Sequence, residues 1–271
     1  YISHKFKELF AIADHYVVLR DGASVAEGLM NEASQDLLIQ RITGRIINGK
    51  RELVTRQLDE PLLEVKNLNL HHASFKSAGS FNDISFTLNK GEILGVYGLM
   101  GAGRTEIMET LFGLHPAKSS GQIFVDGKEQ QLRSPADAIA AGIALVPEDR
   151  KLQGLILGQS VNNNIGITVL RQLQRWGMML GNRKEVMLAT EFINRLSIKT
   201  ASGNNAVRNL SGKNQKKIVI AKWLATKPQI LLLDEPTRGI DINAKTEIYG
   251  LMKQLVAEGI GVIMVSSELP E

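Results

Sequence analysis

Between Gly91 and Glu106 the chain reads GEILGVYGLMGAGRTE, an apolar run that empties into a glycine-rich turn and then into a helical pattern. No other stretch narrows the choice of fold as much. The spacing Gly98, Gly103, Arg104, Thr105 matches the phosphate-binding pattern G-x-x-x-x-G-K-[ST] everywhere except at the cation. A loop of that kind needs a strand before it and a helix after it, so the expected class is α/β with a mainly parallel sheet. The apolar run is accordingly expected to be a buried strand. Ile107, Met108, Leu111 and Phe112 share one face of the helix expected over 105–112.

With 271 residues, 44% of them hydrophobic, the chain can bury a sizeable core. Leu63 to Leu68 and Phe81 to Leu88 alternate as half-exposed strands do. Gln229 to Leu233 holds four consecutive aliphatics and runs into Asp234 and Glu235. That pattern suits a central strand covered on both faces, with its charged end at the carboxyl edge of the sheet, where open α/β sheets bind ligands. Residues 160–202 read as helical, and Trp176, Met178, Met179 and Met187 read as helix core, an exposed part serving a partner being the alternative. The first 60 residues differ: a helix from Lys5 to Asp14, a hairpin turning at Asp21 and Gly22, a helix from Gln35 to Ile42, then a polar linker over 48–61.

Several functions are disfavoured by composition. The net charge of +4 comes without a block of like charges, so a nucleic-acid binder is not indicated. The absence of cysteine removes disulfides, thiolate metal sites and thiol catalysis. No apolar run approaches the roughly 18 residues that span a bilayer, so the expectation is a soluble chain that serves a membrane only through a partner.

The chemistry centres on phosphate. Backbone N–H groups over Gly98, Gly101, Ala102, Gly103, Arg104, Thr105 and Glu106 form a candidate cradle at a helix N-terminus, and the Thr105 hydroxyl can reach Mg²⁺. Arg104 is the doubtful member: lysine is a compact point charge, whereas guanidinium is planar and prefers bidentate partners. Two readings stand for it, a phosphate ligand set differently or a glycine turn with no ligand. Asp234 is placed to hold Mg²⁺ through water and Glu235 to orient or deprotonate an attacking water.

LSGKNQKK at Leu210 to Lys217, ILLLDEPTRGID at Ile230 to Asp241 and the strand end VSSELPE resemble the nucleotide-binding domains of ABC transporters. With VPEDRK and YISHKFKELFAIADHYVVLRDG, the resemblance is to the ATP-binding subunits of bacterial monosaccharide importers, the ribose, galactose and xylose group, the xylose type looking nearest. It implies a P-loop NTPase with a parallel core sheet, an antiparallel β subdomain and a helical subdomain at about 155–225. It also implies that 1–47 is the end of a first nucleotide-binding domain and that 62–271 is a second, lacking its C-terminal elements. On this resemblance residues 5–30 copy elements expected after Glu271, either docked on 62–271 within or between chains or left as a flexible remnant.

The implied ligands are ATP and Mg²⁺. Implied partners are membrane permease subunits, a periplasmic sugar-binding protein acting indirectly and a second nucleotide-binding domain in a head-to-tail pair, at the cytoplasmic face of the inner membrane. Ser211 and Gly212 would offer donors to the γ-phosphate held by the other domain, and Lys213 departs from the usual glycine. His4 would be the first domain's switch histidine, and Ser267 stands at the equivalent place in the second. Glu148 replaces the glutamine of the loop that faces the membrane partner. With Arg104, Glu148 and Ser267 all off pattern and Thr105, Asp234 and Glu235 on it, the expectation is a degenerate site that holds nucleotide and turns it over slowly. The alternatives are a non-hydrolysing regulatory half and a soluble ABC-type ATPase unconnected with transport. His72 and Phe75 are candidates for stacking on adenine; His15 and His115 read as structural.

Overall fold

The computed structural model describes residues 6–20, 22–43, 61–71, 80–99, 101–175, 179–180, 182–240 and 242–267. His4, His72, Phe75, Trp176, Met178 and most of the linker expected at 48–61 lie outside them. The chain divides into two compact units, residues 1–57 with 239–247 and residues 58–238 with 248–271.

In the first unit α1 (Phe6–Ile12) leads into β1 (His15–Arg20) and β2 (Ala23–Leu29), which pair antiparallel from His15 opposite Leu29, and α2 (Gln35–Thr43) follows. The register slips between Val18 and Leu19. Val18, Met30 and Leu38 form a small core with Leu9, Tyr16 and Ile42 packed around it. These elements lie where the periodicity expects them.

The second unit holds two larger sheets. β3 (Pro61–Leu70) and β4 (Phe81–Asn89) precede β5 (Ile93–Tyr97) and α3 (Arg104–Leu111). β6 (Ser119–Val125), β7 (Lys128–Glu129), α4 (Pro135–Ala140) and β8 (Ile143–Val146) come next. Then follow α5 (Val161–Gly166), α6 (Leu170–Leu173), the short strands β9 (Gln174–Arg175) and β10 (Met179–Leu180), and the long helices α7 (Asn182–Arg195) and α8 (Gly212–Leu224). The described chain closes with β11 (Ile230–Asp234), α9 (Ile242–Ala257) and β12 (Gly261–Ser266).

The antiparallel sheet runs β4-β3-β6-β7 and the parallel sheet β5-β12-β11-β8. One core joins them through α3: Leu63 and Leu70 of β3, Met108 and Leu111 of α3, and Ile230 and Leu232 of β11 are all buried in it. The alternate residues Leu231 and Leu233 are buried too, outside that cluster. A strand covered on both faces has no polar positions along its length, which is why β11 is spelled ILLL.

Three expectations are corrected. β5 is not a buried strand: it pairs with β12 on one side only among the described strands, and Ile93 and Tyr97 are 40% and 51% exposed. Residues 160–202 are not helical throughout, because the β9–β10 pair separates α6 from α7. Met187 stands on the outer face of α7, 64% exposed, and is no part of a core.

Candidate functional site

Parallel strands deliver their following loops to the same edge of a sheet. Here all four do so with residues the sequence singles out. Tyr97 at the end of β5 lies opposite Ser266 of β12, Val265 lies opposite Asp234 of β11, and Leu233 lies opposite Val146 of β8. The glycine loop, Ser267, the Asp234–Glu235 pair and Glu148 therefore follow neighbouring strand ends.

The loop itself turns by left-handed glycines, Gly101 at φ 82° and Gly103 at φ 84°. Gly103 occupies the cap position of α3, and no side chain caps the helix. The first bond entering α3 runs from the Ile107 N–H to the Gly103 carbonyl. The N–H groups of Arg104, Thr105 and Glu106 precede it and are the orphan donors of a helix start. An anion seated there would satisfy them and meet the positive end of the helix dipole. Met100 of this loop lies outside the described residues.

Thr105 and Asp234 meet directly: the Thr105 hydroxyl donates to Asp234 Oδ2 at 2.8 Å. The other oxygen, Oδ1, is buried and has no hydrogen-bond partner. Burial pushes the Asp234 carboxyl above its usual range, the Thr105 bond opposes this, and the neighbouring Glu235 adds to it. A buried carboxylate oxygen without a partner, beside a hydroxyl, is a hard-oxygen donor set of the kind Mg²⁺ takes alongside phosphate and water. The residues present fit the ion. No group of three or more histidine, aspartate or glutamate side chains gathers to hold a metal among the described residues, here or elsewhere.

Glu235 is engaged on both oxygens. Arg104 Nη1 donates to Oε1 at 3.1 Å, and the Ser267 hydroxyl donates to Oε2 at 3.1 Å. The backbone is fixed as well. At φ 45° Glu235 lies in the left-handed region, its N–H donates to the Val265 carbonyl at 3.1 Å, and its own carbonyl accepts from Lys216 Nζ at 2.9 Å. A non-glycine residue in that conformation persists only where its surroundings over-determine it.

Glu148 forms an ion pair with Arg238, which follows the DEPT segment. Beside it Asp149 caps the π-helical turn Arg150–Gly154, accepting from the N–H groups of Lys151 and Leu152. Those two bonds, the one from Leu152 foremost, hold its carboxyl below the usual range.

Ser211 and Gly212 begin α8. Ser211 sits at the cap position, but its hydroxyl caps nothing and instead accepts from Asn214 Nδ2 at 3.0 Å. A Cβ at Gly212 would come 2.7 Å from Arg150 Nη2, and Arg150 Nε donates to Gln215 Oε1 at 3.3 Å. Arg150 is thus laid across the start of this helix, and a side chain at 212 would push its guanidinium aside.

Sequence reasoning missed five contacts: Arg150 against Gly212, Lys216 under Glu235, Arg238 on Glu148, and both Arg104 and Ser267 on Glu235. VPEDRK and DEPTRGID did draw attention to the segments carrying Arg150 and Arg238. Nothing in the string KNQKK marks Lys216 as buried. His115, read as structural, has Glu109 as its partner at 2.7 Å.

Comparisons with known proteins bear on the family and the fold. The sequence profile described as ABC transporter matches residues 81–238. Among curated proteins the chain is 44% identical to the ribose import ATP-binding protein of Rhodopirellula baltica and 46% identical to that of Bacillus cereus. It is 43% identical to the xylose import ATP-binding protein of Moorella thermoacetica. Each match covers 100% of this chain and 53% of the relative, so the chain spans about half the length of those proteins. Among solved structures, a nucleotide-free ATP-binding cassette from an ABC transporter superposes with a TM-score of 0.64 at 19% identity, over 78% of this chain and 83% of that one. A dimeric post-hydrolysis cassette bound to ADP and phosphate gives 0.64 at 20% identity, over 77% and 89%. At these identities the likeness speaks for the fold alone.

Proposed function

This chain belongs to the ABC transporter family, and from that premise we propose that it is part of the ATP-binding, ATP-hydrolysing subunit that energises import of a monosaccharide through a membrane permease. The observation that carries the reading is the 2.8 Å bond from Thr105 to Asp234, which joins the glycine loop to the acidic strand end 129 positions later. Ribose and xylose relatives match almost equally well, so the sugar is left at the level of a monosaccharide.

In this reading the triphosphate lies along the loop from Gly98 to Glu106, its oxygens taking the N–H groups at the start of α3. Thr105 and Asp234 would hold Mg²⁺, which would supply positive charge to offset that of the phosphates. Glu235 orients a water. The water oxygen bonds to the γ-phosphorus as the bond from that phosphorus to the β–γ bridging oxygen breaks; the water proton passes to the Glu235 carboxylate, and ADP leaves with phosphate. His4, Ser211 and Gly212 serve a second site shared with another nucleotide-binding domain, and Glu148 couples nucleotide state to the permease. Residues 62–271 make up the nucleotide-binding domain, and about 155–225 its helical part.

The site of this chain is degenerate in that reading, holding Mg-ATP and hydrolysing it slowly. Support comes from the residues at the site itself: Arg104 stands at the loop's cation position, and Ser267, an uncharged hydroxyl, is the residue that bonds Glu235 from the end of β12. The same observation favours a regulatory, non-hydrolysing half as the second reading. Calorimetric titration of the purified chain with Mg-ATP, beside a phosphate-release assay, separates these outcomes. Binding with slow release supports the proposal, binding with no release supports the regulatory half, and brisk release abolished by Glu235→Gln overturns the degenerate site.

A further inference from the structure

We infer that Arg104 acts as a positioning residue for Glu235, a clamp for which triphosphate and carboxylate compete. The inference rests on the reading that the glycine loop takes a nucleoside triphosphate. Arg104 stands where the loop's cation belongs, yet its guanidinium is turned onto the carboxylate at 3.1 Å. The two side chains are only 11% and 6% exposed, so solvent and salt screen the pair weakly. One cation therefore faces two anionic claimants.

The geometry also says which partner moves. Glu235 is held at its N–H by Val265, at its carbonyl by Lys216 and at its second carboxylate oxygen by Ser267. Arg104 is the first residue of α3, with a long stem and Nη1 as its bond to Glu235. When phosphate enters, the guanidinium shifts toward it and Glu235 is released on one oxygen. Without phosphate each carboxylate oxygen already accepts one hydrogen bond, Oε1 from Arg104 and Oε2 from Ser267. The clamp thus links occupancy of the loop to the freedom of the group that handles the water.

The reciprocal effect is measurable as affinity, apart from turnover. ATP without Mg²⁺ is titrated calorimetrically into the wild-type chain, Glu235→Gln, Arg104→Met and the double variant. Removing the rival anion tightens ATP about tenfold when Arg104 is present, and by less than about twofold when it is not. Arg104→Gln, which keeps an N–H donor for the carboxylate, replaces Arg104→Met if the latter does not fold, and the same small ratio is expected of it. Equal tightening in both backgrounds overturns the clamp, since it reports only repulsion between carboxylate and phosphate, and leaves the nucleotide reading standing. Failure of both wild type and Glu235→Gln to bind ATP overturns the nucleotide reading and the clamp together.

Discussion

At Thr105 a single hydroxyl supplies the one described hydrogen bond of a buried carboxylate and stands at the entrance to α3. Replacing it with valine keeps the volume and removes the donor. Asp234, with Oδ1 already unpartnered, would then have both oxygens unsatisfied. Loss of a hydrogen bond to a charged group costs about 1.5–3 kcal/mol, so Thr105→Val should lower the unfolding free energy by about that amount in urea titrations. In binding, the same variant should lose about tenfold in affinity for Mg-ATP and change little for ATP alone, because its hydroxyl acts on the ion. Equal losses with and without Mg²⁺ would move Thr105 from the metal to the phosphate cradle.

Among the elements, α8 departs furthest from what its spelling suggests. Lys216, Lys217 and Lys222 are buried, and their ammonium groups donate to the carbonyls of Glu235, Ser197 and Gly154. Burial lowers the Lys222 pKa from 10.5 to about 8. Between those values the unfolded chain binds more protons than the folded one, so stability rises with pH there; the penalty is present in full below about pH 8 and has gone above 10.5. Relative to Lys222→Met, wild type should therefore gain on the order of 3 kcal/mol across that window, read from urea midpoints, and a flat difference would contradict the burial. The pattern also shows what was legible. β11 could be read from ILLLDE because covering both faces leaves a local signature, and α3 because its buried face recurs at helical spacing. The edge position of β5 could not, since pairing on one side or two is decided by distant strands. Nor could the Arg104–Glu235 contact, which spans 131 positions and depends on β12 lying between β5 and β11.

For the whole molecule, the relevant scale is set by relatives about twice as long. The start of α8 carries the LSGKNQ segment, and in the head-to-tail reading it acts on the nucleotide of another domain, not on the loop of its own chain. Gly212 offers a clean test, because a side chain there must displace Arg150, whose Nη2 would lie 2.7 Å from its Cβ. The 271-residue chain alone should hydrolyse ATP slowly, and mixing it with a protein carrying an intact first nucleotide-binding domain should raise the rate by roughly a hundredfold, as expected when donors aimed at developing charge are supplied. Gly212→Asp should remove that increase while the variant's own affinity for Mg-ATP stays within about twofold, since α3, Thr105 and Asp234 are untouched. If Gly212→Asp weakened the chain's own Mg-ATP binding as much as it removed the stimulation, α8 would be serving its own loop. The pairing of two unequal composite sites would then have to be abandoned.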